Sequence, residues 1–315
     1  MIALHKALAG YLATRRALGT KLREPGVTLG HFVDLLEAEG AEYVTAERAV
    51  RWATEPKGVQ PATWTRRLGA VRQFAKWLCV TDPRTEVPPL SLLKAHHQRK
   101  PPYIFSDQEI EQLMAQASLL PSPTGLRALT HTTHIGLLAS TGLRPGEALA
   151  LDLQDVDLHS GILSVRWSKF GKSRFVPVHE SVRTALTDYA VRRDDARPSR
   201  STKAFLVSER GGRLAHNAAR RTFAHLAQAI GIREVTEGRR IGRGPRLQDI
   251  RHAFTTKRLV EWYRAGCDVE RLMPGLSTYL GHADVHSTYW YIQAIPELLH
   301  LAAERQAARH AGREG

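Results

Sequence analysis

Cysteine is close to absent. Cys79 and Cys267 are the only two in 315 residues, too few for a disulfide framework or a cysteine-based zinc centre. Both sit in apolar helical patterns and read as buried thiols. Long hydrophobic runs are missing as well: the most apolar stretch, around Ile135–Leu143, is short and runs into Thr141 and Gly142, so no segment is long enough to span a bilayer. The first residues lack a basic leader followed by an apolar block and a small-residue cleavage site, which points away from secretion and toward the cytoplasm. There is no internal repeat and no Walker-type or GxGxxG loop for a nucleotide. Acidic residues are scarce beside basic ones, 31 against 45, giving a net charge of +14 and an isoelectric point near 10.2. That balance favours a polyanionic partner. Nucleic acid fits better than a membrane surface, because a membrane binder needs a basic amphipathic helix or a long apolar segment.

What is present divides the chain in two, in keeping with domains of about 100–200 residues. Residues 1–98 read as helical. Leu29, Phe32, Val33 and Leu36 form one apolar stripe, followed by Gly40 as a C-cap. Trp64, Leu68, Val71, Ala75 and Leu78 form a second stripe. Arg66, Arg67, Arg72 and Lys76 crowd the other faces of that second helix, so two readings stand: a surface along a DNA backbone, or a solvated helix face. Pro83, Pro88, Pro89, Pro101 and Pro102 then disfavour helix, and Lys94 to Lys100 add positive charge, so a linker is expected here.

Residues 99–315 read as a mixed domain. Ser106 with Glu109 three residues later is a capping box ahead of Ile110, Leu113 and Met114. Residues 126–140 read as an apolar helix with Gly142 as its C-cap, and Pro145 opens the next helix, which leaves Arg144 at the junction. Two β-like runs, ILSVRW and RFVPV, flank SKFGKS, a hairpin with Lys169 and Lys172 at its tip. Helical patterns resume at 218–230 and 253–265. Between them, EVTEGRRIGRGPR is too rich in Gly and Arg to pack and is expected to be mobile or DNA-facing. From Pro296 a tail carries Leu298, Leu299, Leu301 and Ala302 at helical spacing.

Four signals fall in order in the second domain: TGLRPGEALAL at Arg144, SKFGKSRFVPV at Lys169, LQDIRHAF at Arg251, and LGHADVHSTYWY ending at Tyr291. Together they resemble the tyrosine site-specific recombinase, or phage integrase, family, of mobile-element type. The resemblance covers about Pro101 to the end, and the helical N-terminal part resembles the family's core-binding domain more loosely. It implies a mainly α fold, with a helical domain that clamps DNA and a mixed α+β catalytic domain carrying a small antiparallel sheet or hairpin.

Such chemistry needs a nucleophile that forms a covalent ester with DNA and is later displaced by a DNA hydroxyl, and a tyrosine serves. Forked guanidiniums suit the charge that grows on the non-bridging phosphate oxygens, the role that fits Arg144 and Arg251. The resemblance assigns Lys169 to protonate the departing oxygen and His282 to bond the phosphate or assist proton transfer. It makes Glu147 and Asp249 the groups that orient the arginines. Tyr291 follows His282 by nine residues, the family's offset, whereas Tyr279 and Tyr289 do not and read as packing residues beside Trp290. Lys172, Arg174 and Lys100 join Arg66, Arg67, Arg72 and Lys76 as DNA-contacting residues. One position departs from the pattern: Gln248 stands three residues before Arg251, where the family carries His or Lys. Glutamine cannot carry a proton as a base does. His252 is next to Arg251, but adjacent helical residues point about 100° apart, which argues against it as a substitute.

The resemblance implies double-stranded DNA as partner, four copies of the chain on two DNA sites with or without related recombinases, no cofactor or metal, and a cytoplasmic, nucleoid-associated setting in a prokaryote. Three rivals stay open. A type IB topoisomerase shares the chemistry, a DNA-bridging partner of an active recombinase is kept alive by Gln248, and a plain DNA-binding regulator would explain the charge alone. The tail is expected either on a neighbouring copy or on its own domain.

Overall fold

In a computed structural model, residues 4–93, 101–166, 173–197, 202–235 and 243–311 are described, without the side chains of 293–294 and 307–311. The chain divides into two compact units, Met1–Lys100 and Pro101–Gly315.

The first unit holds α1 (Leu4–Ala17), α2 (Arg23–Ala38), α3 (Ala46–Thr54) and α4 (Pro61–Leu78). The two expected stripes lie on α2 and α4. Leu29, Phe32, Val33 and Leu36 meet Leu68, Val71, Ala75 and Leu78 in one core with Tyr11, Trp52 and Phe74. Gly40 takes a left-handed backbone (φ 64°) just past α2, as a C-terminal glycine does. Two helices that the apolar spacing did not single out, α1 and α3, complete this core. Thr45 caps α3 by accepting from the Arg48 amide. The first half of the proline-rich stretch packs rather than hangs free: Glu86 donates its amide to the Val44 carbonyl, and Val87 lies against the core.

The second unit begins with α5 (Asp107–Ser118), α6 (Leu126–Thr141) and α7 (Pro145–Ala150). A three-stranded antiparallel sheet follows, β1 (Val156–Asp157), β2 (Ile162–Val165) and β3 (Arg174–Pro177), and then α8 (Glu180–Ala196). It ends with α9 (His216–Ala229), α10 (Leu247–Arg264), α11 (Val269–Leu280), α12 (His286–Ala294) and α13 (Pro296–Ala311). The expected capping box opens α5, with the Ser106 hydroxyl accepting from the Glu109 amide and Glu109 accepting from the Ser106 amide. The mainly helical class with a small antiparallel sheet stands. The hairpin pairs Ile162 with Pro177 and Val165 with Arg174, and its tip, residues 167–172, lies outside the described residues. So do 236–242 of the Gly/Arg-rich loop. The flanks of that loop pair with each other, Glu234 and Arg243 exchanging backbone and side-chain bonds.

Leu163, Val165 and Val176 turn inward onto α5 to α9 in the larger core, while Leu259, Met273, Leu276, Leu280, Tyr291 and Leu298 form a smaller one. The described part of the tail packs on its own domain: Leu298 is buried there, Glu297 pairs with Arg264 at 2.8 Å, and Arg305 donates to the Cys267 carbonyl. The two cysteines are half-buried free thiols, not fully buried ones.

Candidate active site

Helix α11 ends at Gly281, and its last carbonyls are the hub of the site. A helix leaves its final carbonyls without amide partners and carries partial negative charge at that end. Here three arginines supply the donors. Arg174 donates Nε–H to the Tyr279 carbonyl at 2.7 Å. Arg251 donates from Nη2 to the Leu280 carbonyl at 2.7 Å. Arg144 donates from Nη2 to the Gly281 carbonyl at 3.0 Å. Residues far apart in sequence thus converge on three consecutive carbonyls. Gly281 makes this possible, since its φ is 68° and a Cβ there would sit 2.6 Å from Arg174 Nη1.

Arg251, 2% exposed, also donates from Nη1 to the carbonyl of Gly142, at the end of α6, at 2.8 Å. Gly142 is equally constrained, with φ 61° and the Phe254 ring 2.4 Å from where a Cβ would be. Burial, then the neighbouring Arg144, lowers the Arg251 pKa to about 10, which still leaves a cation near neutrality. Glu147, on the first turn of α7, accepts from Arg144 Nη1 at 2.7 Å and from both Arg174 terminal nitrogens at 2.8 and 3.2 Å. Burial opposes the charge on Glu147, but its bonds with Arg174 and Arg144 outweigh that and hold its pKa below the usual carboxylate range. Three guanidiniums and one carboxylate leave the cluster net positive.

His282 follows Gly281, with Nδ1 2.7 Å from the buried Thr288 hydroxyl. Burial, and then Arg251, Arg144 and Arg174, push its pKa down to about 3, so the ring is neutral at physiological pH. Tyr291 lies on α12 and is 1% exposed, edge-on to Trp290. Its hydroxyl is 2.6 Å from His252 Nδ1. The arrangement offers a phenol, a neutral imidazole and two or three fixed cations, the complement that phosphoryl transfer to a tyrosine requires.

Arg144, Arg251, His282, Glu147 and Tyr291 therefore meet in one site. Lys169, Lys172 and Lys100 lie outside the described residues. Gln248 is half-buried on the first turn of α10, and its side chain makes no hydrogen bond among the described residues. Several expectations need correction. Asp249 does not orient the arginines of the site: it accepts from the Arg246 amide at 2.7 Å and from the Arg246 guanidinium, anchoring the start of α10. Arg174 is not an outward DNA contact, because its side chain is 9% exposed and all three nitrogens are committed. Arg72 is buried and donates to the carbonyls of Pro88 and Pro89 at 2.6 and 2.9 Å. Arg67 stacks on Trp52 at 3.8 Å and donates to its carbonyl. Both serve the fold of the first unit. Arg66 and Lys76 do face solvent, Arg66 beside Glu24. Tyr279 packs on Phe254, whereas Tyr289 is exposed and not a packing residue.

The expectation that His252 is a poor substitute follows from its angle to Arg251, whereas the relation that matters is to position 248. Measured from Arg251 the ring points elsewhere, but measured from Gln248 it is four residues on, and positions i and i+4 stack on one helix face. That spacing was readable.

Comparison with known proteins shows the family. Residues 104–297 match the phage integrase family. The chain is 42% identical over 313 residues to a putative integrase/recombinase, y4rB, of Sinorhizobium fredii, covering 98% of each chain. It is 32% identical to the tyrosine recombinase XerD of Caulobacter vibrioides, over 82% of this chain and 78% of that one. Among solved structures, the Tn1549 transposon integrase in complex with transposon right end DNA superposes with a TM-score of 0.64 at 17% identity, covering 96% and 98% of the two chains. A lambda integrase tetramer bound to a Holliday junction superposes at 0.59 with 16% identity, covering 90% and 78%.

Proposed function

This chain belongs to the phage integrase family and is a tyrosine recombinase, an enzyme that cuts and rejoins DNA strands, and we propose that Tyr291 is its nucleophile. Tyr291 Oη attacks a DNA phosphorus and makes a 3′-phosphotyrosyl link while the 5′-oxygen leaves; a 5′-hydroxyl of the partner strand later displaces the tyrosine. Because the phosphotyrosyl bond conserves the energy of the cut linkage, the exchange runs as two matched transesterifications. Arg144 and Arg251 hold the non-bridging oxygens through forked donors aimed from fixed positions. His282, neutral and within the same cluster, donates a hydrogen bond to the phosphate, and Lys169 protonates the leaving oxygen. Glu147 keeps Arg144 and Arg174 in register.

The observation that carries this reading is the convergence of Arg144, Arg251 and His282 on the C-terminal end of α11, with Tyr291 in the adjoining core near Arg251. The partner is double-stranded DNA. Four copies act on two sites, a reading supported by the family and by the lambda integrase tetramer, and the process is integration, excision or transposition of a mobile element, supported by the integrase/recombinase relatives. Among the described residues no helix is long and apolar enough to cross a membrane.

A covalent trap tests the assignment. On a nicked duplex bearing a bound site, the wild-type chain leaves an SDS-resistant protein–DNA adduct and Tyr291→Phe leaves none. An adduct that survives in Tyr291→Phe, or none from wild type on a site it binds, overturns the assignment.

A further inference from the structure

The family pattern puts a proton-carrying residue at the position of Gln248, and this chain has none there. One helical turn further along the same side of α10, His252 meets the nucleophile directly. Its Nδ1 lies 2.6 Å from Tyr291 Oη, inside the range of about 2.6–3.2 Å in which a general base can take a proton. The ring is half-buried, tilted against the Tyr291 ring at 5.4 Å and edge-on to Trp290 at 6.1 Å, so its orientation is set by packing on α12. Arg251, the preceding residue, gives one N–H from each terminal nitrogen to the Gly142 and Leu280 carbonyls and keeps its other donors for phosphate. Two neighbours on one helix thus do different work. Arg251 faces the C-terminal carbonyls of α6 and α11, and His252 faces the phenol.

The alternative acceptor is worse placed. His282 has its Nδ1 engaged with Thr288 and sits among Arg251, Arg144 and Arg174, whose charges oppose a further proton. As the Tyr291 oxygen bonds to phosphorus, its proton needs somewhere to go.

We propose that His252 takes the proton from Tyr291 during strand cleavage and returns it during rejoining, in place of the group absent at position 248. The inference rests on Tyr291 being the nucleophile. In cleavage the Tyr291 Oη–phosphorus bond forms, the bond from phosphorus to the 5′-oxygen breaks, the phenol proton passes to His252 Nδ1, and the 5′-oxygen takes a proton from Lys169. In rejoining each transfer reverses, so His252 protonates the departing tyrosine. A change at His252 therefore slows both half-reactions.

The test is single-turnover cleavage of a nicked duplex at saturating DNA by the full chain, comparing wild type with His252→Asn and His252→Gln, two side chains that keep a polar contact but take up no proton. Each is made with tyrosine and with 3,5-difluorotyrosine at position 291, whose electron-withdrawing fluorines make the phenol more acidic. A positioned base contributes on the order of 100-fold or more. The expected result is a loss of about that size in both variants, with about tenfold or more of it recovered by the fluorinated phenol, since a more acidic nucleophile depends less on its base. Cleavage within about threefold of wild type in either variant, faster cleavage as from a released latch, or an equal loss with both phenols overturns the inference. Absence of any adduct from wild type would instead strike at the nucleophile itself.

Discussion

Arg72 in α4 and Arg251 in α10 solve the same local problem. Each is a buried guanidinium whose nitrogens donate to two backbone carbonyls, those of Pro88 and Pro89 for Arg72 and those of Gly142 and Leu280 for Arg251. The surroundings differ. Around Arg72 the partners are turns of one chain segment and an apolar core, with Phe74 and Leu78 on the same helix. Around Arg251 stand Arg144, Arg174, Glu147, His282 and Tyr291, drawn from four other segments. Burial and carbonyl bonding alone describe a strut. What distinguishes a reactive site is surplus like charge held together at a cost, beside a nucleophile. Three cations with one carboxylate repel one another, and the chain offsets this with the C-terminal end of α11. An anionic phosphate would relieve it further.

The widest separation is expected from substitution at the two arginines. Arg251→Lys replaces a fork by a single ammonium, and cleavage of a nicked site at saturating DNA is expected to fall by about 10²–10³-fold, as when one preorganised donor is lost. If that variant cleaves at the wild-type rate, Arg251 is a strut like Arg72. Arg72→Met should behave in the opposite way. Leaving the Pro88 and Pro89 carbonyls without donors costs about 1–3 kcal/mol, read as a lower midpoint in urea unfolding, while cleavage at saturating DNA stays within about twofold of wild type. A variant of unchanged stability whose DNA affinity drops would instead restore Arg72 to the DNA-facing surface.

The smallest effect concerns acid. His134, fully buried on α6 in the second unit, has its pKa pushed down to about 3 by burial and then by His131 and His216. Unfolded, it titrates near the ordinary histidine value of about 6.5. Between those values the unfolded chain binds a proton that the folded one does not, so stability falls as pH drops below about 6.5, by at most about 1.4 kcal/mol per pH unit from this group. Thermal unfolding at pH 7 and pH 5 should show the decline, and His134→Asn should make it shallower, leaving the share of the similarly lowered His131 and His282. An unchanged pH dependence in that variant would remove His134 from the account.

Much of the fold was legible because its signals are local. The stripes of α2 and α4, the Ser106 capping box and the Gly142 and Pro145 boundary each depend on residues within a turn or two of one another. Less legible were α8, whose buried residues Leu186, Tyr189 and Arg193 are few among polar neighbours, and β1, two residues long and defined by pairing with β2. The misread arginines share a cause. A helix full of basic residues looks basic on every face until the chain that returns over it is known, and for Arg72 that chain is the proline-rich stretch sixteen residues on.

By itself the sequence determined which residue types stand in which order: Arg144, Lys169, Arg251, His282 and Tyr291, with glutamine at 248. The four ordered motifs carried the resemblance to the family, and the family's nine-residue offset from His282 favours Tyr291 over Tyr279 and Tyr289 as the proposed nucleophile. Only the tertiary structure decided which partners the described members of this set hold. Hydrogen-bond capacity is finite and is spent on whatever lies within about 3 Å, and that neighbourhood is assembled from residues more than a hundred positions apart. Hence Arg174 is committed to Glu147 and Tyr279, Asp249 to its own helix end, and Tyr291 to His252.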